Sequence, residues 1–283
     1  MDRVFLYGAG TVIKDIIDEI QKEAEIIGIL DSNQKKWGME INGYKVLGDA
    51  RILEQSKYDR IIICALQFKE IKSYLLKQGV DSRKIITEYS RVYAESRELF
   101  VRDLGRLMKE RMTEPFSVAE GGVYKGDFSI IINESFPKSP FYLFDTFGGF
   151  NEQDMDIDEK NGLSEAKINN RFTDTSANMV LSRLPHPEKA IICQGYFPDS
   201  TVNVPEQSFG FVNLDFDLYK PILDGLRYFY PRMIKGGIIL IHDYFSETFN
   251  GVKKAVSDYD KEIGEQLITF PIGDHISMAI IKR

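Results

Sequence analysis

The chain has 283 residues, 43% of them hydrophobic, and a formal net charge of −7. At roughly 100 to 200 residues per domain, that length predicts two domains with sizeable cores. The acidic balance and the lack of a Lys/Arg block argue against a nucleic-acid surface. No run approaches the roughly 20 apolar residues of a membrane span, and the first residues carry no signal-peptide pattern, so a cytoplasmic protein is expected.

Arg3-Val-Phe-Leu-Tyr-Gly-Ala-Gly10 reads as a strand entering a Gly-x-Gly turn, and Val12, Ile13, Ile16, Ile17 and Ile20 follow at helical spacing. A second strand ends at Asp31, where dinucleotide enzymes place a ribose-binding acid. Ile13 stands where the third glycine of that fingerprint belongs. Strands around Tyr58–Ala65 and Lys84–Thr87, flanking a helix from Lys69 to Gln78, complete a small Rossmann-like domain over residues 1–90. It is either a nucleotide or nucleotide-sugar site or a docking domain that keeps the fold alone. Cys64 and Cys193 lie in apolar runs and are expected to be buried and reduced.

Residues 91–114 read as a connecting helix, with Leu99, Phe100, Leu104, Leu107, Met108 and Met112 along one face. From 115 to 283, apolar runs alternate with helical stretches: Phe116–Glu120, Phe141–Asp145, Lys189–Gln194, Phe209–Leu214 and Gly237–Ile241 are the strands. Strand and helix in series imply a parallel sheet. The last two runs, joined at Gly273 and Asp274, predict a terminal antiparallel hairpin. The fold class expected is α/β, with two Rossmann-like domains.

The polar residues collect where these strands end. Glycines at 121, 122 and 126 let a backbone approach a ligand closely and lead into a helix N-terminus. Asp145 closes the second strand, where an ionised carboxylate can accept from both ribose hydroxyls. Asp215 and Asp217 end one buried strand, and His242 and Asp243 end the next. Ligands gather at such strand ends in open α/β sheets, so a metal or proton-abstraction site is expected there.

Taken in order, Glu120-Gly-Gly-Val-Tyr-Lys-Gly126, Phe144-Asp-Thr-Phe-Gly-Gly-Phe150, Phe172-Thr-Asp-Thr-Ser176, Gly195-Tyr-Phe-Pro-Asp199, Asp215-Phe-Asp-Leu-Tyr219 and Tyr230-Pro-Arg-Met-Ile-Lys-Gly-Gly237 resemble the macrocin O-methyltransferase (TylF-like) family. Its members are class I S-adenosylmethionine-dependent methyltransferases, and the resemblance covers the second domain only. It implies a cofactor site of Glu120, Gly121, Gly122, Tyr124, Gly126, Asp145 and Thr146, with Glu120 facing the amino-acid end and Asp145 the ribose. Asp174, Ser176 and Gln194 are further candidates for lining that pocket, or else helix caps and surface groups.

The resemblance also implies a metal held by acids matching Asp215, His242 and Asp243. His242 departs from the all-oxygen pattern and suits a softer ion than Mg²⁺. Two readings stay open: His242 as a metal ligand, or as a general base without metal, with Asp215 and His242 the catalytic pair in either case. Asp217 would then support the site or cap the helix starting near Tyr219. The polar insertion from Gly148 to Arg171 reads as a lid or a solvated loop.

The function expected is O-methylation of a sugar or glycosylated small molecule by a homo-oligomer, as in the family. A non-catalytic scaffold of the same fold is one alternative. An NAD-dependent sugar-modifying enzyme centred on Tyr7 to Asp31 is another, weakened by the lack of a Tyr-x-x-x-Lys pair.

Overall fold

The computed structural model describes residues 1–164, 172–246 and 248–283. It divides into two compact units, Met1–Ser96 and Arg97–Arg283.

In the first unit, β1 (Asp2–Tyr7), α1 (Thr11–Glu23), β2 (Ala24–Leu30), β3 (Glu40–Ile41), β4 (Tyr44–Gly48), β5 (Arg60–Ile63), α2 (Phe68–Lys77) and β6 (Ile85–Ile86) follow one another. They form a sheet of order β3-β4-β2-β1-β5-β6. The period of two along β1 sends Val4 and Leu6 into one apolar cluster and Phe5 and Tyr7 into another, so both faces are covered. Ile13 is fully buried beside Val4 and Leu6, filling the space a glycine would have left open. The β3–β4 hairpin was not expected. Its signal was present in Asn42-Gly43, both at positive φ, as a two-residue hairpin turn requires.

α3 (Glu88–Arg111) is one continuous 24-residue helix, and the boundary between the units falls inside it rather than at a loop. Its apolar stripe is only partly as predicted. Met108 is buried and Phe100, Leu104 and Met112 partly so, while Leu99 and Leu107 are exposed and the unpredicted Val101 is fully buried.

The second unit continues with β7 (Ser117–Gly121), α4 (Asp127–Ser135), β8 (Phe141–Asp145), α5 (Glu152–Lys160), α6 (Ala177–Arg183), β9 (Ala190–Gln194), β10 (Phe209–Leu214), α7 (Tyr219–Phe229), β11 (Met233–Ile241), α8 (Asn250–Ile263), β12 (Ile268–Pro271) and β13 (Met278–Ile281). The sheet order is β12-β13-β11-β10-β7-β8-β9, parallel from β11 to β9 and closed by the antiparallel β12–β13 pair. The central strands read as unbroken apolar runs because both faces are packed: Phe211 and Leu240 face one cluster, Val212 and Ile239 the other. Tyr228, Phe229 and Tyr230 pack into the second of these with Phe144, Phe197 and Phe209.

The insertion after Gly148 is not simply hydrophilic cover. It contains α5, whose Asp154 and Asp158 are buried. Asp158 accepts from the backbone N–H of Tyr219 at 3.3 Å, at the first turn of α7. Residues 165–171 of the expected lid lie outside the described residues. Both cysteines are free and buried. Among the described residues, no helix is long and apolar enough to cross a membrane.

Candidate functional site

Strand register sets the site. Phe144, Gly121, Leu214 and Ile241 form one paired row across β8, β7, β10 and β11. The next residue along each chain is Asp145, Gly122, Asp215 and His242, so the polar groups expected at the strand tips stand side by side. Where β7 ends, Gly122 takes φ +82°, and a Cβ there would lie 2.0 Å from the Asp215 carbonyl oxygen. A Cβ on Gly121 would meet the Phe216 ring at 2.3 Å. The glycines thus let the tip of β10 pack against the turn, a requirement internal to the fold and separate from any ligand.

Asp145 organises the same turn. One carboxylate oxygen accepts from the backbone N–H of Val123 at 2.7 Å and of Tyr124 at 2.9 Å, and the other from Phe147 N–H at 2.6 Å. Tyr124 sits at φ 50° and donates its hydroxyl to Asp174, which also receives Lys125 Nζ at 2.5 Å. Thr146 Oγ1 donates to the Gly149 carbonyl at 2.8 Å, closing the turn after β8. Gly126, at φ +77°, begins α4. Ser176 caps α6, accepting from Met179 N–H at 3.2 Å, and Gln194 is exposed at the end of β9. Asp174 is thus bonded to the turn, and Ser176 is a helix cap.

Glu120, expected to face a cofactor, is only 2% exposed. Ser129 of α4 donates to one of its oxygens, and Asn213 Nδ2 lies 3.3 Å from the other. Burial pushes its carboxyl up to about 8, against the hydrogen bond from Ser129 and the charge of Arg97. Glu120 thus keeps its proton in the folded chain to a higher pH than in the unfolded one. Its contribution to stability is complete below the unfolded value of 4.5 and is lost as the pH rises through about 8. Glu120→Gln, which keeps the shape and cannot ionise, is expected to match the wild type in thermal melts near the lower limit and to exceed it near the upper one. Parallel melting curves for the two proteins across that range would refute the buried neutral acid.

Asp215, His242 and Asp243 offer three ligand atoms all within 4.8 Å of one another. The span across one coordination sphere of a small divalent ion is about 4 Å, so one imidazole and two carboxylates fit such an ion after minor adjustment. His242 Nδ1 lies 3.0 Å from the hydroxyl of Ser277, which is 1% exposed. Asp274 in turn accepts from the backbone N–H groups of Ile276 and Ser277, so the terminal hairpin turn fixes the imidazole. Asp243 and Asp217 both adopt positive φ, in the left-handed region that aspartate tolerates.

The group that sequence reading missed is Arg97 of α3. Its Nη2 donates to Asn213 Oδ1 at 2.7 Å and to Asp215 Oδ2 at 2.9 Å. Burial raises the Asp215 carboxyl, but the nearby His242 ring and the Arg97 guanidinium outweigh it and hold it below the usual carboxylate range. Asn213 had left a signal, a lone amide inside an apolar strand. Arg97, one charge among many on an amphipathic helix, had left none.

In the first unit, the expected ribose acid is also engaged internally. Asp31 accepts from the backbone N–H of Ala9 and of Asn33, both at 2.8 Å, and from Lys36 Nζ at 3.2 Å. Its carboxylate ties the Gly8–Gly10 turn to the end of β2.

Comparison with known proteins agrees with this architecture. Residues 102–278 match the family profile described as Macrocin-O-methyltransferase (TylF), and residues 1–86 match one described as C2185-like, N-terminal. A curated relative, the 8-demethyl-8-(2,3-dimethoxy-alpha-L-rhamnosyl)-tetracenomycin-C 4'-O-methyltransferase of Streptomyces olivaceus, is 24% identical over 174 residues, covering 56% of this chain and 62% of the relative. The chain thus spans less than two thirds of that relative's length. The O-methyltransferase NovP superposes with a TM-score of 0.54 at 18% identity, over 66% of this chain and 79% of NovP. The calicheamicin methyltransferase CalS11 gives 0.50 at 16% identity, over 76% of this chain and 91% of CalS11. The likeness to these two structures is one of fold.

Proposed function

The chain belongs to the macrocin-O-methyltransferase (TylF) family, and on that premise we propose that its second unit transfers a methyl group from S-adenosylmethionine to a hydroxyl of a sugar-bearing small molecule, assisted by a divalent cation. The observation that carries the reading is the placement of Asp145 and the glycine turn beside the Asp215, His242 and Asp243 cluster, on neighbouring strand ends. The acceptor class follows the Streptomyces olivaceus relative, whose name specifies a rhamnosyl-bearing substrate.

S-adenosylmethionine supplies a methyl group made electrophilic by its sulfonium, and a cation beside the acceptor supplies positive charge for the hydroxyl oxygen as its proton leaves. The protein's part is to hold and align. The turn from Gly121 to Gly126 shapes the donor site, and Asp145 holds that turn while offering lone pairs to ribose hydroxyls. Asp215, His242 and Asp243 would hold the cation. In a second reading His242 itself accepts the proton at Nε2. Its Nδ1 contact with Ser277 favours this, since a proton donated from Nδ1 leaves the Nε2 lone pair available.

Calorimetry on the full chain tests the proposal. S-adenosylmethionine is expected to bind at one site per chain, and Asp145→Ala, which strips two charge-assisted hydrogen bonds from the turn, to weaken binding about 100-fold. A wild type that ignores S-adenosylmethionine, or a variant that binds it equally well, would favour a scaffold that retains only the fold.

A further inference from the structure

Arg97 lies ahead of residue 102, where the family match begins, yet its guanidinium is built into the metal-type cluster. It stacks on the Phe128 ring, 3.9 Å from the centroid, and its side chain is 12% exposed. Its Nε is buried with no hydrogen-bond partner among the described residues. An exposed arginine pairs loosely and gives up little; this one has surrendered most of its hydration to stay against Asp215.

Such a charge must weigh on any ion the cluster holds. Asp215 and Asp243 carry two negative charges and His242, when neutral, none, so Arg97 leaves the cluster with a single net negative charge. A divalent ion added there overshoots by one positive charge, the deficit that a deprotonated acceptor hydroxyl makes good. We propose that Arg97 is a resident counter-cation that sets the divalent-ion affinity of the cluster, keeping it low until an anionic oxygen joins the site. This rests on the methyl-transfer reading above and concerns how that same site is charged.

The alternative role for Arg97 is simply to orient Asp215, as groups behind metal ligands commonly do. The two roles predict opposite signs. Losing an orienting partner weakens metal binding, whereas losing a neighbouring positive charge strengthens it.

Mn²⁺ binding to the full chain, read from the electron paramagnetic resonance of free Mn²⁺, decides between them. Arg97→Gln and Arg97→Met, the second retaining apolar contact with Phe128, are each expected to tighten Mn²⁺ binding by about 10-fold or more. Arg97→Lys, which keeps the charge, should stay within about 3-fold of the wild type. Circular dichroism checks that each variant is folded; if one charge-removing variant is not, the other and the lysine variant still carry the comparison. Unchanged or weaker binding in a folded charge-removing variant overturns the proposal, as does a shift of 10-fold with lysine, or Mn²⁺ binding to none of the proteins. S-adenosylmethionine calorimetry on the same samples separates the outcomes: intact cofactor binding with the wrong Mn²⁺ response sinks only the role of Arg97, while lost cofactor binding by the wild type sinks the methyl-transfer reading.

Discussion

Asp215→Ala is expected to destabilise the second unit by about 3 kcal/mol, well beyond what an exposed ion pair contributes. The carboxylate faces a guanidinium that is 12% exposed and stacked on Phe128, so removing it strands a positive charge against the neutral amide oxygen of Asn213. Burying an unpaired charge costs more than the pair itself contributes. Removing both partners, in Asp215→Ala with Arg97→Met, should therefore recover a large part of the loss. Urea unfolding of the two single variants and the double variant measures this directly. A single-variant loss below about 0.5 kcal/mol would place the pair among ordinary surface contacts.

Gly122→Ala should cost at least about 3 kcal/mol, for two separable reasons. The residue adopts φ +82°, and the added methyl would stand 2.0 Å from the backbone oxygen of Asp215, which cannot swing aside as a side chain can. Gly264 provides the comparison: it lies at φ +66° with nothing within 4 Å of its would-be Cβ. Gly264→Ala pays the conformational cost alone, about 1 kcal/mol. The gap between the two variants in chemical denaturation isolates the collision. Equal losses would mean that backbone conformation, and not the close approach of β10, is what requires a glycine at 122.

Much of the site was legible because local pattern and sheet topology agree. Apolar runs ending in Asp145, in Asp215 and in His242-Asp243 read as strands of one parallel sheet, and a parallel sheet puts the carboxyl ends of its strands on one edge. The polar insertion was harder, since Asp154 and Asp158 of α5 look like surface residues by composition. Burial pushes the carboxyl of Asp158 up to about 6, the mark of an acid placed by the fold in spite of its chemistry. The Asn42-Gly43 hairpin was legible in principle, and only the shortness of its strands concealed it.

The glycines show where sequence reasoning reached the right residue for an incomplete reason. A Gly-Gly pair after a strand signals a need for space, but the pattern does not say for what. In the folded chain that space is taken by the Phe216 ring and the Asp215 carbonyl, which lie 95 and 93 residues beyond Gly121 and Gly122.

The amino-acid order alone determined the α/β class, the parallel succession of strands, the closing hairpin and the chemical identity of the groups at the strand tips, because each depends on periodicity and residue type over a few neighbours. Only the tertiary structure decided how those groups are charged and held. Arg97 reaches Asp215 across 118 positions, Asn213 reaches Glu120 across 93, and the Ser277 hydroxyl meets His242 across 35. Hydrogen bonds and Coulomb forces act on distance in space, and a linear pattern carries no record of which distant charge will be buried beside which.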